Sequence, residues 1–137
     1  MSKEYESADL LLKVYDLRRE EKMREARNWW WRFNPKSFEE INAVWSTADS
    51  GKLGMVPAYW NMVAALVNHK AIDEKMFLDT NREFMVIFVK MQPFLEDMRK
   101  HDPEYLVQLE KLVMRIPGIE KRIKEEREFY KMVEGKK

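Results

Sequence analysis

The side chains that carry most enzyme chemistry are scarce in this chain, and their spacing keeps them apart. There are two histidines, His69 and His101, and no cysteine. Without a thiol there is no disulfide, no thiolate nucleophile and no cysteine metal site, and two imidazoles are too few for most histidine metal centres. Leu66 stands three residues before His69 and Met98 three before His101, so neither histidine makes the Glu-x-x-His pair of a di-iron bundle. Both fall beside the expected end of a helix and read as solvated. Glycine-rich phosphate loops and the Gly-x-Ser-x-Gly elbow do not occur in the sequence. The neighbouring carboxylates Glu39-Glu40 and Glu125-Glu126 point about 100° apart on a helix, whereas general acid–base work needs groups that converge on one cavity. No catalytic residue, metal or cofactor is expected.

What remains is recognition chemistry, and it gathers around tryptophan and arginine. Trp29-Trp30-Trp31, between Arg27 and Arg32, has the composition of an interface anchor. Consecutive helical residues lie about 100° apart, so the three indoles sweep about 200° of the circumference. A packed helix buries a stripe only somewhat over 100° wide. Trp30 keeps register with Met23, Ala26 and Phe33 and takes the core. Trp29 or Trp31 must then be covered by the Asn34-Pro35-Lys36 turn, by Phe38 or Trp45, or by another molecule. Trp29, Trp31, Arg27 and Arg32 are therefore candidate partner-binding residues, and a two-fold homodimer is the expected assembly.

A second candidate is an apolar pocket. Ten methionines and five tryptophans could line one, and its place would be where Tyr59 and Trp60 meet the central helix, with Glu83 as its polar group. At helical spacing the same residues also read as ordinary core. Glu83 itself has two readings: a helix cap through Thr80, or a partly buried ion pair with Arg18, Arg19, Arg24 or Arg27.

Such residues act only where elements hold them, and here the elements are helices. The chain is organised around Ile72 to Lys100. At about 100° per residue, Phe77, Phe84, Phe88, Met91, Leu95 and Met98 share one stripe. Met76, Ile87 and Phe94 widen it on one flank and Met85 on the other, and Val86 and Val89 occupy the back. A helix apolar almost all round is one that other helices cover, so this stretch is the central post. Asp73 caps a short piece at 73–79, Thr80-Asn-Arg-Glu83 has capping-box form for a longer one at 81–100, and Pro93 inside it predicts a kink.

The other helices follow from the same signals. Residues 7–33 predict one long helix, with Leu10, Val14 and Leu17 on one face and Met23, Ala26, Trp30 and Phe33 one strip around. Between them acids alternate with bases, which gives a solvated face and not a nucleic-acid stripe. Pro35 ends that helix near Phe33. Ser37-Phe-Glu-Glu40 caps a second helix at about 38–48. Residues 46–52 read as a loop in which Gly51 ends a helix, and Pro57 suits the first position of a third, ending near His69. Asp102-Pro103-Glu104 starts a fifth, burying Tyr105, Leu109, Leu112 and Ile116. Pro117-Gly118 breaks it, and the last helix carries Ile119, Ile123, Tyr130 and Val133.

Composition fits one all-α, bundle-like domain over 1–137, with five or six helices around a Pro-kinked central helix at about 73–100. Apolar residues are 45% and charged residues 36% of 137, enough to build a core without staples. Lys plus Arg number 25 against 24 Asp plus Glu, a net charge of +1, which argues against a nucleic-acid partner. The longest apolar run, Phe84 to Val89, is six residues, against about 20 for a membrane span. No signal peptide opens the chain. A soluble, cytoplasmic protein is expected, without a membrane partner.

Three stretches carry a family resemblance: Val14-Tyr-Asp-Leu-Arg-Arg-Glu-Glu-Lys-Met-Arg-Glu-Ala-Arg-Asn-Trp-Trp30, Met55-Val-Pro-Ala-Tyr-Trp-Asn-Met-Val-Ala-Ala-Leu-Val67, and Glu83 through Pro93-Phe-Leu-Glu-Asp-Met-Arg99. In these the chain resembles a family of small, uncharacterised bacterial proteins. The resemblance implies a self-contained helical unit and assigns no activity. Two function classes stay open: a non-enzymatic helical interaction module that self-associates or binds a protein partner, and a binder of, or enzyme on, an apolar small molecule near Tyr59 and Trp60.

Overall fold

A computed structural model describes residues 3–134. Among them are the helices α1 (Lys3–Leu17), α2 (Glu21–Arg32), α3 (Phe38–Trp45), α4 (Ser50–Asn68), α5 (Glu74–Thr80) and α6 (Glu83–Met91). A 3-10 turn, Gln92–Phe94, then leads to α7 (Leu95–Arg99), α8 (Val107–Met114) and α9 (Ile119–Glu134). No strand occurs among the described residues, and the helices form one all-α domain.

Two helices are covered on nearly every side. In α6, Phe84, Met85, Ile87, Phe88, Val89, Lys90 and Met91 are all buried, as the apolar circumference predicts. The other is α4, which buries Leu53, Val56, Pro57, Tyr59, Trp60, Val63, Ala64 and Val67. It packs most extensively against α2 and α8, and also touches α3, α5 and α6. The core is thus built on α4 and α6 together, with α8 and α9 lying against α6.

Where the segmentation differs from the sequence expectation, local hydrogen bonding is the reason. The predicted helix 7–33 is two helices. The end of α1 tightens through short bonds, Arg18 N–H to the Tyr15 carbonyl (3.2 Å) and Arg19 N–H to Asp16 (3.0 Å). The Glu20 carboxylate then caps α2, accepting from Met23 N–H at 3.0 Å, and the backbone N–H groups of Lys22 and Met23 hold its pKa down. Neither glycine nor proline marks this break. The apolar face that resumes one strip around is its trace, and Leu17, expected inward, is 56% exposed.

The expected loop at 46–52 is shorter. The Thr47 hydroxyl donates to the Val44 carbonyl and accepts from Asp49 N–H, α4 begins at Ser50, and Gly51 lies in its first turn. Pro57 is therefore inside α4 and not at its start. It forgoes one backbone bond, but its ring is buried with Leu53 and Val56, and that burial offsets the loss.

Asp73 caps α5 as expected, accepting from Met76 N–H at 2.9 Å. Thr80 does not cap α6; its hydroxyl turns back to the Met76 carbonyl, and Arg82 stands at the N-cap without a side-chain bond. Regular helix stops at Met91, and Pro93 sits in the 3-10 turn. The helix expected from 103 starts only at Val107, after Leu106 in the left-handed region (φ 52°). Its missing cap comes from α4: Asn61 Oδ1 accepts from Leu109 N–H at 3.0 Å. One turn pair further on, Asn68 donates to the carbonyl and side-chain oxygens of Gln108 at 3.0 and 2.9 Å. Ser37, by contrast, caps α3 through Glu40 N–H as its motif predicts.

Replacing Asn61 by alanine removes the side-chain acceptor of Leu109 N–H. We expect Asn61→Ala to lower unfolding stability by about 1–2 kcal/mol, with Asn61→Asp, which keeps the acceptor, losing less; urea denaturation measures both.

Candidate functional site

Three helices meet at one carboxylate. Glu83, the first residue of α6, faces Arg27 of α2 and Trp60 of α4. Arg27 Nε donates to Glu83 Oε1 and Oε2 at 3.0 and 2.9 Å, and Nη2 lies 2.8 Å from Oε2. The Trp60 indole N–H donates to Oε1 at 3.0 Å. The two charged side chains are 22% and 11% exposed. The bond to Glu83 pushes the Arg27 pKa up, against the opposing effect of burial. Of the four arginines that the sequence offers as partners, Arg27 is the one engaged.

Around this pair the Tyr59 hydroxyl also finds a protein partner, whereas Arg18 is held only in part, its buried Nε having no acceptor among the described residues. The Tyr59 hydroxyl donates to the Val14 carbonyl, and burial pushes its pKa up to about 12. Arg18 lies over the rings of Tyr15 (5.1 Å) and Trp60 (5.8 Å) and donates weakly to Asn81. Tyr59, Trp60 and Glu83 are therefore brought together as the sequence suggests. The open space against Glu83 is about 10 Å³, at the limit for a single water.

The tryptophan run divides as helical geometry requires. Trp30 is buried, its indole N–H donating to the Lys52 carbonyl at 3.0 Å. Trp29 is half-buried and stacks on Phe33, ring centroids 4.5 Å apart at 23°; Phe33, one helical turn on, provides this cover, a partner the sequence candidates did not include. Trp31 is 58% exposed beside the exposed Arg32. Of the four candidate partner-binding residues, Trp31 and Arg32 reach solvent, Trp29 does so in part, and Arg27 turns inward.

A larger apolar surface escapes a reading confined to one face per helix. α1 buries only Ser7 and Val14, while Tyr5, Leu12 and Tyr15 are each more than half exposed. With Ala8 these residues are spaced by three, four and three, the a/d rhythm of a helix-pairing seam. The spacing alone could have revealed it. At the other end of the chain, Phe129, Met132 and Val133 of α9 are exposed too, Val133 against the inward placement expected of it.

A groove of about 530 Å³ lies between α3, α4 and the turn before α8. Phe38, Leu53, Pro57 and Leu106 form its apolar floor, and His101 and Asp102 stand at its rim. Among the described residues no three His, Asp or Glu side chains gather as a metal would need, and no helix is long and apolar enough to cross a membrane.

Two measurements probe this node. Glu83→Gln leaves the Arg27 charge uncompensated, which in buried pairs costs about 3–5 kcal/mol; the partial exposure of Arg27 puts the expected loss near the lower end. Unfolding at an unchanged denaturant midpoint would show that the pair contributes nothing. The second concerns alkali. Tyr59 keeps its proton to about pH 12 when folded, whereas an unfolded tyrosine releases it near about pH 10. The native state then binds more protons in that window, so stability present below pH 10 falls as pH rises towards 12. Tyr59→Phe should make that decline shallower in pH-dependent denaturation.

No curated protein and no solved structure matches this chain. One family does, over residues 5–116, a span holding the Glu83 node, the tryptophan run and α4 through α8: the chain belongs to the family described as Domain of unknown function (DUF4760).

Proposed function

We propose that this domain is a non-enzymatic interaction module that pairs with a second copy of itself. The observation that carries the reading is the outer stripe of α1, Tyr5, Ala8, Leu12 and Tyr15. Its three large members are 63%, 69% and 54% exposed, on a helix whose core contribution is Val14 with Leu10 and Leu11 packed in part against it. A seam of alternate three and four spacing is self-complementary across a two-fold axis, and the shared stripe lets each copy cover the other's. Support for a non-enzymatic role comes from the interior polar groups. Arg27, Glu83, Trp60 and Tyr59 hold one another or the backbone, an arrangement that fixes helices. A chain without cysteine suits a reducing compartment, and we place the module in the cytoplasm.

Light scattering coupled to size exclusion tests the assembly. We expect twice the chain mass of 16.6 kDa at micromolar concentration, and reversion to monomer in Leu12→Glu. A mass near 16.6 kDa throughout would overturn self-association. A dimer that survives Leu12→Glu but not Trp31→Ala would move the interface to the exposed indole of α2.

A further inference from the structure

α4 carries a glycine in its interior that packing does not require. Glycine weakens the middle of a helix and is usually kept there because something presses close to the backbone. At Gly54 nothing in the protein does: a Cβ at this position would meet no atom within 4 Å. Gly54 lines the groove of about 530 Å³ between α3, α4 and the turn before α8, so its missing side chain keeps that groove open. Gly51 is equally unobstructed, but it lies in the first turn of α4 and does not line the groove.

The walls of the groove have a definite chemistry. Phe38 and Trp45 of α3 and Tyr105 of the turn line it with aromatic rings, and Trp45 is 49% exposed. Its charged residues are Asp102 and Glu104, with His101 beside them, and neither lysine nor arginine lines it. The bases on the surrounding elements are already matched. Lys52, the one charged residue of α4, lies 3.2 Å from Asp49. Lys100 lies 3.4 Å from Asp97, and Arg99 3.1 Å from Glu110. α3 carries Glu39 and Glu40 and no base. Asp102 accepts from Glu104 N–H at 3.1 Å, and neither carboxylate pairs with a cation among the described residues. The groove therefore joins aromatic faces and an apolar floor to an unbalanced negative charge.

We propose that this groove binds an apolar organic cation, a protonated amine with a hydrophobic body. Its ammonium lies towards Asp102 and Glu104, and its body crosses Gly54 against the rings of Phe38 and Trp45. Aromatic faces attract an ammonium through the ring quadrupole, and the two carboxylates act in the same sense. An inorganic cation would leave the apolar floor bare, and among the described residues no three His, Asp or Glu side chains gather to hold one. A hydrocarbon would leave the carboxylates without a counter-charge, and an anion would be repelled by them. The volume falls within the usual range for small-molecule sites. This site is separate from the outer stripe of α1, so its occupancy is read independently of molecular mass.

The test is a titration of the isotope-labelled chain, followed by amide NMR, with three probes that share one body: phenylbutylammonium, phenylbutanol and phenylbutyrate. We expect saturable shifts in residues 38–45, 53–61 and 98–106, including the Trp45 indole N–H. Affinity should fall from the amine to the alcohol to the carboxylate, and salt should shrink the amine's advantage. Asp102→Asn/Glu104→Gln should weaken the amine about fivefold, the worth of exposed ionic contacts, and leave the alcohol unchanged. Gly54→Leu, which fills the groove, should abolish binding of all three probes. Gly51→Ala should raise the urea midpoint, since alanine suits a helix better, and leave affinity unchanged. If Gly54→Leu does not fold, the charge variant, at two exposed positions, still decides. Equal binding of the alcohol, equal binding of the carboxylate, shifts that map away from α3 and α4, or amine affinity indifferent to the charge variant or to a folded Gly54→Leu would each overturn the proposal.

Discussion

A carboxylate at the start of a buried helix must be answered by a cation, and the packing of α2, α4 and α6 turns on that requirement. Removing an ion from water costs several kcal/mol even after relaxation, so Glu83 is tolerable only where Arg27 and Trp60 reach it. The arrangement also serves α6 locally. That helix begins without a side-chain cap, and a negative charge in its first turn offsets the positive end of the helix dipole. Three helices far apart in sequence are thereby tied to one point, with two hydrogen bonds from Arg27 and one from Trp60.

The same logic of a polar group supplied from elsewhere governs α8. Leu106 adopts a left-handed conformation, which costs a residue with a Cβ roughly 1–2 kcal/mol. It is held there because its side chain is 3% exposed and because Asn61 completes the first turn of α8. Asn61 and Asn68 are seven residues apart on α4, two helical turns, and so present both amides to one partner along a single face. The left-handed residue, the late start of α8 and its seat on α4 are one arrangement.

What the sequence reveals and what it hides divide along this line. Signals confined to a few neighbouring residues are legible: Ser37 and Asp73 cap their helices, Pro117-Gly118 separates α8 from α9, and the all-round apolar pattern of 84–89 marks a covered helix. The helical family resemblance is legible in the same way. Where a remote group decides, local signals mislead. Thr80 looks like a cap because Glu83 stands three residues on, but Glu83 is claimed by Arg27. Pro57 looks like a helix start because proline prefers that position, yet Leu53 and Val56 draw the helix past it. The break between α1 and α2 has no glycine or proline at all. The outer stripe of α1 needed the question of a second face, since Leu10 and Val14 already account for the first.

α2 and α6 are joined by two rungs of different character. Arg27 and Trp30 are three residues apart on α2; their partners Glu83 and Lys90 are seven apart on α6, about 10 Å along its axis and on nearly the same face. In the first rung a cation meets a carboxylate. In the second the Lys90 ammonium donates to the Trp30 carbonyl. Both rungs reach from α2 to α6, so neither helix can slide or rotate past the other without giving up one of the two bonds.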